Sequence, residues 1–563
     1  MKKANKLLFV VLLATISLTG CQKNPISSPS QNTSQTSKTS QKTTPSNTSD
    51  HYSKTYYTDG LEFELNKSKD GYIVSQYLSP DTEIVIPELY NGLPVREIKE
   101  SVFQDLQIDK LTLPISLRVI QKNAFRGMIV DSELTELDLP EGLEEIQESA
   151  FDDCPSLKTI VIPSTLKTIG SDAFHLCTSL ERFKLEKESN YFKVDHSILY
   201  TKDGKKLLYY PTALTNTTFD IPNGVEILGD YAIYGNMSLQ SVSLPSSLKE
   251  IGYRGLAALK NMTTLNLNKA NNLKILKDLS LSENEGLTSI TLPSSIQEFG
   301  KGVLKNDKNL VLAKLNFDYE ILPDSTYENC SKLTTVSALP SNLTKIGSNA
   351  YRGCLSLTKI NIPSTVTEIG SRAFDNCRAF TSLVLPNGLE KIQEACFSNC
   401  QSLTSINIPS SLKEIESRAF INCYGLKEMD FSTSSLVKIQ ESAFYSCSGL
   451  TNVKFPSSLK EVGNHAFESC PKISPISFND GIETIGEYAF AEFVNLSKVY
   501  LPKSIKSIGT MAFCSTTKEA KQIHICFEAD KFENAYGKDT MFHYDDSRST
   551  VSYSITRSQY EAL

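Results

Sequence analysis

The sequence predicts a repeat solenoid, a β-rich stack of about 17 coils of about 23 residues each. Three observations predict it. Consecutive segments over 356–424 read SLTKINIPSTVTEIGSRAFDNCR, AFTSLVLPNGLEKIQEACFSNCQ and SLTSINIPSSLKEIESRAFINCY, and overlay almost letter for letter. Their prolines Pro363, Pro386 and Pro409 stand 23 residues apart (386 − 363 and 409 − 386). The same anchor recurs at residues 87, 114, 140, 163, 222, 245, 268, 293, 316, 340, 363, 386, 409, 433, 456, 479 and 502, which makes 17.

One coil explains why coils must stack. Leu403, Ile406, Ile408, Leu412, Ile415, Ala419 and Phe420 form its apolar set. Burying so few side chains does not offset the entropy of ordering a whole coil of backbone. Stacked coils cover one another and share a hydrogen-bond ladder, so stability is a property of the array.

The elements follow in order. Residues 1–20 read as a secretory signal peptide: Lys2, Lys3 and Lys6 precede an apolar run from Leu7 to Leu18 that is too short to span a membrane. Leu18-Thr19-Gly20-Cys21 resembles the lipobox of bacterial lipoproteins. That resemblance implies cleavage before Cys21 and lipidation of its sulfur, with a second acylation on the new amino terminus giving stable anchoring. The stretch after Cys21, to residue 50, is almost entirely Ser, Thr, Gln, Asn, Lys and Pro and reads as a disordered tether.

Residues 51–83 read as an N-terminal cap, a hairpin with its turn at Asp70-Gly71. The solenoid itself is placed at 84–516. A β-hairpin insertion turning at Asp203-Gly204 interrupts it over 181–221. Between about 246 and 333 the pattern weakens: Asn268 and Asn316 replace the anchor proline, and Asp278-Leu279, Val303-Leu304 and Thr326-Tyr327 replace Ala-Phe. Residues 517–563, including Ile523-His524-Ile525-Cys526-Phe527, read as a C-terminal cap and tail. At the spacing of stacked strands the array would run roughly 80 Å.

Nine of the 13 cysteines fall 14 residues after an anchor: Cys154, Cys177, Cys330, Cys354, Cys377, Cys400, Cys423, Cys447 and Cys470. A ladder set by the period reads as a packing site for buried thiols. Disulfides between adjacent coils are the rival reading in an exported chain. Zinc sites use tight pairs such as CxxC, and the chain has none. Cys396 takes an Ala place, and Cys514 and Cys526 lie off the ladder.

No catalytic residue, cofactor or metal ligand is predicted. HExxH, GxSxG, GxGxxG and P-loop motifs are absent, and the six His are scattered. Glu368, Glu390 and Glu414 recur beside lysines as a solvated charge row. A formal charge of −7, from 57 basic and 64 acidic residues, offers no basic face for nucleic acid.

What remains is surface. Strand alternation turns Thr358, Lys359 and Asn361 outward in one coil and Thr404, Ser405 and Asn407 in another, with Thr451, Asn452, Lys454, Ser497, Lys498 and Tyr500 in later coils. These candidate ligand contacts suit an extended partner, and simple solubility accounts for the same residues. Tyr191, Tyr200, Tyr209 and Tyr210 mark the insertion as a second candidate contact, if they do not instead pack the hairpin.

The consensus LxxIxIPxxLxxIGxxAFxxC, over about residues 61–530, resembles the BspA-type leucine-rich repeats, also called the Treponema-pallidum-type class. The resemblance implies a curved solenoid on a bacterial surface. Characterised relatives bind matrix proteins such as fibronectin and fibrinogen, or help cells aggregate. The expectation is a monomeric lipoprotein that meets the membrane through its lipid alone and binds a protein ligand, such as host extracellular matrix, as an adhesin. A structural envelope lipoprotein without specific ligand is the second expectation. An enzyme with its chemistry in the insertion or the irregular coils is the third.

Overall fold

The computed structural model describes residues 57–533, 541 and 549–563. Signal segment, Cys21 and tether lie outside the described residues. Most coils contribute two short strands, the coil over 356–378 only Glu368–Ile369, and equivalent strands of successive coils pair in parallel to build two columns. In the first column, Glu136–Asp138, Thr159–Ile162 and Arg182–Leu185 pair with Thr159 opposite both Glu136 and Arg182. In the second, Lys391–Ile392, Glu414–Ile415, Lys438–Ile439, Glu461–Val462, Thr484–Ile485 and Ser507–Ile508 form one six-stranded sheet. The strands are short because so small a coil must turn several times to close. The anchor proline, which has no N–H, ends the first strand.

The third side has its own ladder, which widens into strands at Ile233–Tyr234 and Leu256–Ala257. Phe397 N–H donates to Ala419 O at 2.9 Å, Phe420 N–H to Ala443 O at 2.7 Å and Phe444 N–H to Ala466 O at 2.7 Å. Left-handed residues flank most Ala-Phe pairs, as Arg418 and Asn422 do at φ 60°. Asn tolerates that conformation better than other side chains, which accounts for Asn329, Asn376, Asn399 and Asn422 just before a ladder cysteine.

The rings at the Phe place stack through the core. Phe374, Phe397, Phe420, Phe444, Phe467, Phe490 and Phe513 follow one another with centroids 5.6, 5.4, 5.0, 4.9, 5.1 and 5.6 Å apart. In the irregular coils Leu281 and Leu304 take that place. Val303-Leu304 and Thr326-Tyr327 stand where the sequence reading puts them, but Asp278-Leu279 does not. Leu281 N–H donates to Val303 O and Leu256 N–H to Ser280 O, so Ser280-Leu281 is the Ala-Phe pair of that coil. The cause is a longer turn before the second strand. Asn268 precedes its partner Ile275 by seven residues (275 − 268), where Pro409 precedes Glu414 by five (414 − 409).

The insertion is a three-stranded meander. Arg182–Leu185 still belongs to the first column, and then Phe192–Asp195, Ile198–Thr201 and Lys206–Tyr209 run antiparallel. Besides the turn at Asp203-Gly204, it turns at His196-Ser197, both residues left-handed at φ 48° and 72°. That second turn lacks the Asn-Gly pair that betrays such turns in a sequence. Lys206–Tyr209 then pairs in parallel with Ile227–Leu228 and restarts the second column. The meander divides the core: Phe192, Leu199 and Tyr209 pack on the N-terminal side, Ile198, Tyr200 and Leu207 on the C-terminal side.

Both ends are closed. The antiparallel hairpin of Leu61–Leu65 and Tyr72–Tyr77 joins the second column through Leu93–Ile98. At the other end Ile523–Phe527 and Ser549–Ser552 extend the first column. Among the described residues one α-helix occurs, Arg557–Ala562, started by Thr556, whose side chain and Gln559 form a capping box.

Candidate binding surfaces

Thr358, Lys359, Asn361, Thr404, Ser405 and Asn407 all lie exposed on the outer face of the first column. They are not equally available. Thr404 Oγ1 donates to Thr381 O of the preceding coil at 2.9 Å, and Thr451 Oγ1 does the same to Lys427 O. Asn407 bridges the backbone of Leu385, accepting its N–H at 2.6 Å and donating Nδ2 to its carbonyl at 3.0 Å. These side chains extend the strand ladder where the strands themselves are two residues long.

Tyr500 departs from its expected role. It does face outward from its coil, but the C-terminal helix covers it, leaving it 2% exposed. Tyr560 packs against Tyr500 at 5.5 Å, donates its hydroxyl to Ile476 O at 2.9 Å, and covers Cys526 as well. Arg557 adds bonds to Ser477 Oγ and Phe478 O. No period announced this strap, because it comes from the chain beyond the repeats.

Of the insertion tyrosines, only Tyr191 is exposed, at 42%. Tyr200, Tyr209 and Tyr210 are buried and pack the insertion, the alternative to partner contact that the sequence offered. Over Ile198–Thr201 the meander has core on both sides, so Ile198, Leu199 and Tyr200 are covered in succession, while Lys193 and Asp195 of the outer strand stay exposed. Tyr209 donates its hydroxyl to Gly170 O at 2.7 Å, and burial pushes the Tyr210 phenol up to about 12.

The nine ladder cysteines are free buried thiols, and this replaces the disulfide reading. Each sulfur reaches back to the carbonyl at the Phe place of the preceding coil: Cys400 to Phe374 O at 3.2 Å, Cys423 to Phe397 O at 3.0 Å, Cys447 to Phe420 O at 3.1 Å. Burial pushes the Cys423 thiol up to about 12, so it stays a thiol and a donor. The ladder continues through coils that lack cysteine. Asn236 and Asn284 occupy its place with Nδ2 donating to backbone carbonyls, and Asp307 follows, wholly buried.

Charge is paired between coils. Lys345–Glu368, Lys391–Glu414 and Lys438–Glu461 meet at 2.8, 2.6 and 2.9 Å along the second column, and Lys413–Glu390 at 2.7 Å. Such exposed pairs contribute about 0–1 kcal/mol each. An open polar groove of about 600 Å³ runs over this column beside Lys438, Gln440, Glu461 and Asn464. Among the described residues no cluster of three or more His, Cys, Asp or Glu could hold a metal. The histidines stand apart, with His175 on Asp152, His465 on Glu468 and His524 on Ser552.

One cluster escaped the sequence reading. His175 packs against Tyr231 and Tyr234 at 4.2 and 4.8 Å, while Arg254 lies over Tyr234 and Tyr253 at 5.8 and 6.0 Å and pairs with Glu283 at 3.1 Å. Its signal is the loss of Ala-Phe at Ala232-Ile233 and Gly255-Leu256, which marks the coils where the turns carry large side chains instead.

Among the described residues no helix is long and apolar enough to cross a membrane. No curated protein matches the chain. Among solved structures, a leucine-rich repeat protein from Bacteroides ovatus is 20% identical, over 88% of this chain and 99% of that one, with a TM-score of 0.46. A leucine rich cell surface protein from Faecalibacterium prausnitzii is 23% identical over 72% and 95%, with a TM-score of 0.39. The pneumococcal vaccine antigen PcpA is 23% identical over 49% and 72%, with a TM-score of 0.37. The family model described as BspA type Leucine rich repeat region (6 copies) matches residues 96–199, 204–334, 320–435 and 426–540. With that match over most of its length, the chain belongs to the BspA-type leucine-rich repeat family.

Proposed function

We propose that the chain is a cell-surface lipoprotein, held outside the cytoplasmic membrane through Cys21, whose solenoid binds a protein and acts as a monomeric adhesin for host matrix or cell-surface partners. The observation that carries this reading is the exposed row along the first column, where Thr358, Lys359, Asn361 and Ser405 present side chains at equivalent places of stacked coils. Repetition suits weak contacts multiplied along an extended partner and across many copies on one membrane. The signal-like start and the lipobox-like Leu18-Thr19-Gly20-Cys21 add an anchor. No chemistry is assigned to the chain.

A pull-down of matrix and cell-surface proteins with the full chain tests the reading. Lys359→Glu combined with Ser405→Glu reverses or adds charge on exposed residues and should weaken a saturable partner about tenfold or more. Unchanged binding would remove this face as the site, and the absence of any specific partner would favour the envelope-organising reading. That second reading draws on Thr404 and Asn407, whose side chains already serve the fold. Cys21→Ala should release the chain from the membrane fraction.

A further inference from the structure

The outward row of the first column does not stay open to its end. Lys498 and Tyr500 hold the places of Lys359 and Asn361, four and two residues before the anchors at 502 and 363. Polar residues take the second of these places in most coils, as Asn361, Asn407, Lys454 and Ser477 do, whereas Tyr500 sets a large ring there. Solubility does not account for a ring in a polar row, and the C-terminal helix that covers it does.

The helix holds this place through two side chains one helical turn apart. Tyr560 shares its hydroxyl between Ile476 O at 2.9 Å and Lys498 O at 3.4 Å, carbonyls of successive coils. Arg557 lies over the Tyr500 ring at 5.1 Å and donates to Phe478 O at 2.7 Å. Lys498 in turn sets its Nζ over the Tyr560 ring at 4.6 Å and donates to Tyr560 O at 3.0 Å. Backbone carbonyls, a ring and an ammonium together make a seat for one arginine and one tyrosine at i and i+3 of a helix.

The seat does not depend on its occupant. Lys498–Leu501 pairs with Ile476–Ser477 on one side and Ile523–Phe527 on the other, so the strands beneath are held without the helix. The occupant does depend on its seat. A helix of six residues does not persist by itself, and Tyr560 is the one residue of it that is buried. Tyr500, Cys526 and Tyr560 form a cluster apart from the main core. Segments tied down by so few buried contacts open locally at far lower cost than the whole fold.

We infer that the C-terminal helix is a removable cover on the binding row, and that the protein partner reaches the last coils by setting an arginine and a tyrosine of its own, one helical turn apart, in place of Arg557 and Tyr560. Tethered in cis, the helix competes at an effective concentration of about mM, so it weakens any such segment until it leaves. Once uncovered, Tyr500 gives the polar row an aromatic anchor of the kind on which binding energy concentrates. This names the regulation of the proposed row and the chemistry of one contact on it, and rests on the protein-binding reading.

The test uses the full chain and a fluorescent peptide with the sequence of residues 553–563, read by anisotropy. The parent should bind it weakly, and Tyr560→Ala, whose own helix is unpinned, about tenfold or more tightly. Arg557→Ala should move affinity the same way, and the thermal midpoint checks that neither variant unfolds the solenoid. On the Tyr560→Ala chain, peptides carrying Tyr560→Phe or Arg557→Lys should bind several-fold more weakly, as should the plain peptide when Tyr500→Ala is added to the chain. A partner captured in the pull-down should bind Tyr560→Ala several-fold more tightly than the parent. Equal peptide binding by parent and Tyr560→Ala, or binding indifferent to the arginine and tyrosine of the peptide, would overturn the inference. Partner binding that Tyr560→Ala leaves unchanged or weakens would make the helix a structural cap, and a parent dimer split by the peptide would assign the exchange to a second copy; either overturns it. An empty pull-down removes the protein-binding reading and the cover's role with it, whereas a failed peptide titration overturns the cover alone.

Discussion

Replacing Phe420 by alanine tests the stacked-ring account of stability directly. Phe420 is wholly buried between Phe397 at 5.4 Å and Phe444 at 5.0 Å, with all three rings near parallel. Truncating a buried Phe costs about 3–5 kcal/mol. Two aromatic pairs, each contributing about 0.5–1.5 kcal/mol beyond area, place Phe420→Ala at the upper end of that range, about 4–5 kcal/mol. The cavity cannot close by collapse, since Phe397 N–H to Ala419 O at 2.9 Å and Phe420 N–H to Ala443 O at 2.7 Å hold the coils at fixed spacing. Because solenoid energetics are nearest-neighbour, the loss should concentrate in adjoining coils. Native-state hydrogen exchange should show amides of 379–447 opening about 10³-fold or more faster, while coils near residue 100 change little. Thr404→Ala, which removes one exposed hydroxyl, is the control at about 0.5–1.5 kcal/mol. A loss under about 2 kcal/mol for Phe420→Ala, or one spread evenly along the chain, would refute the reasoning.

Asp307 should make stability depend on pH. Burial, aided by the carboxylates of Glu283 and Glu285, pushes its carboxyl well up against an opposing N–H bond from Asn284 at 2.8 Å, and Oδ2 has no partner. A raised folded pKa gives stability that is complete below about pH 4, where the unfolded carboxyl titrates, and is lost as pH rises towards the folded value. Asp307→Asn, which copies Asn284 one coil earlier, should therefore match the parent near pH 4 and exceed it by about 1–3 kcal/mol at pH 7 in urea unfolding; an equal gap at both pH values would count against it. The ladder cysteines should resist a thiol reagent in the native chain and react, all nine, in urea, whereas fewer than nine would revive inter-coil disulfides. Tyr560→Ala should unpin the C-terminal helix and open the buried Cys526 to alkylation, and continued protection would show that Tyr560 does not hold the cover.

Periodicity made the repeating part legible. A spacing of 23 residues between Pro363, Pro386 and Pro409 is enough to infer coils, since only stacking buries seven apolar residues per turn of chain. The cysteine ladder was visible as a packing row, but its bond was not: that each sulfur donates to the carbonyl at the Phe place one coil back depends on how coils superpose. Asn236 and Asp307 stand at the same offset, 14 residues after anchors 222 and 293, but carry no thiol to mark the row, and Asn284 is displaced by the longer turn after Asn268 (284 − 268 = 16).

The candidate surface was legible in part. Alternation placed Thr358, Lys359, Asn361, Thr404, Ser405 and Asn407 on the outside, where they lie. Alternation cannot tell an outward residue from one that a distant segment covers, so Tyr500 beneath Tyr560 was beyond its reach. The insertion shows the same limit. Its strands alternate like any half-buried hairpin, yet wedged between two cores it buries Ile198, Leu199 and Tyr200 in succession, to either side. The sequence by itself determined the coil, its apolar rungs and its outward rows, because these repeat locally and need only neighbours of the same kind. Only the tertiary structure decided which rows stay open and what the non-repeating segments cover, because those depend on contacts between parts of the chain that share no pattern.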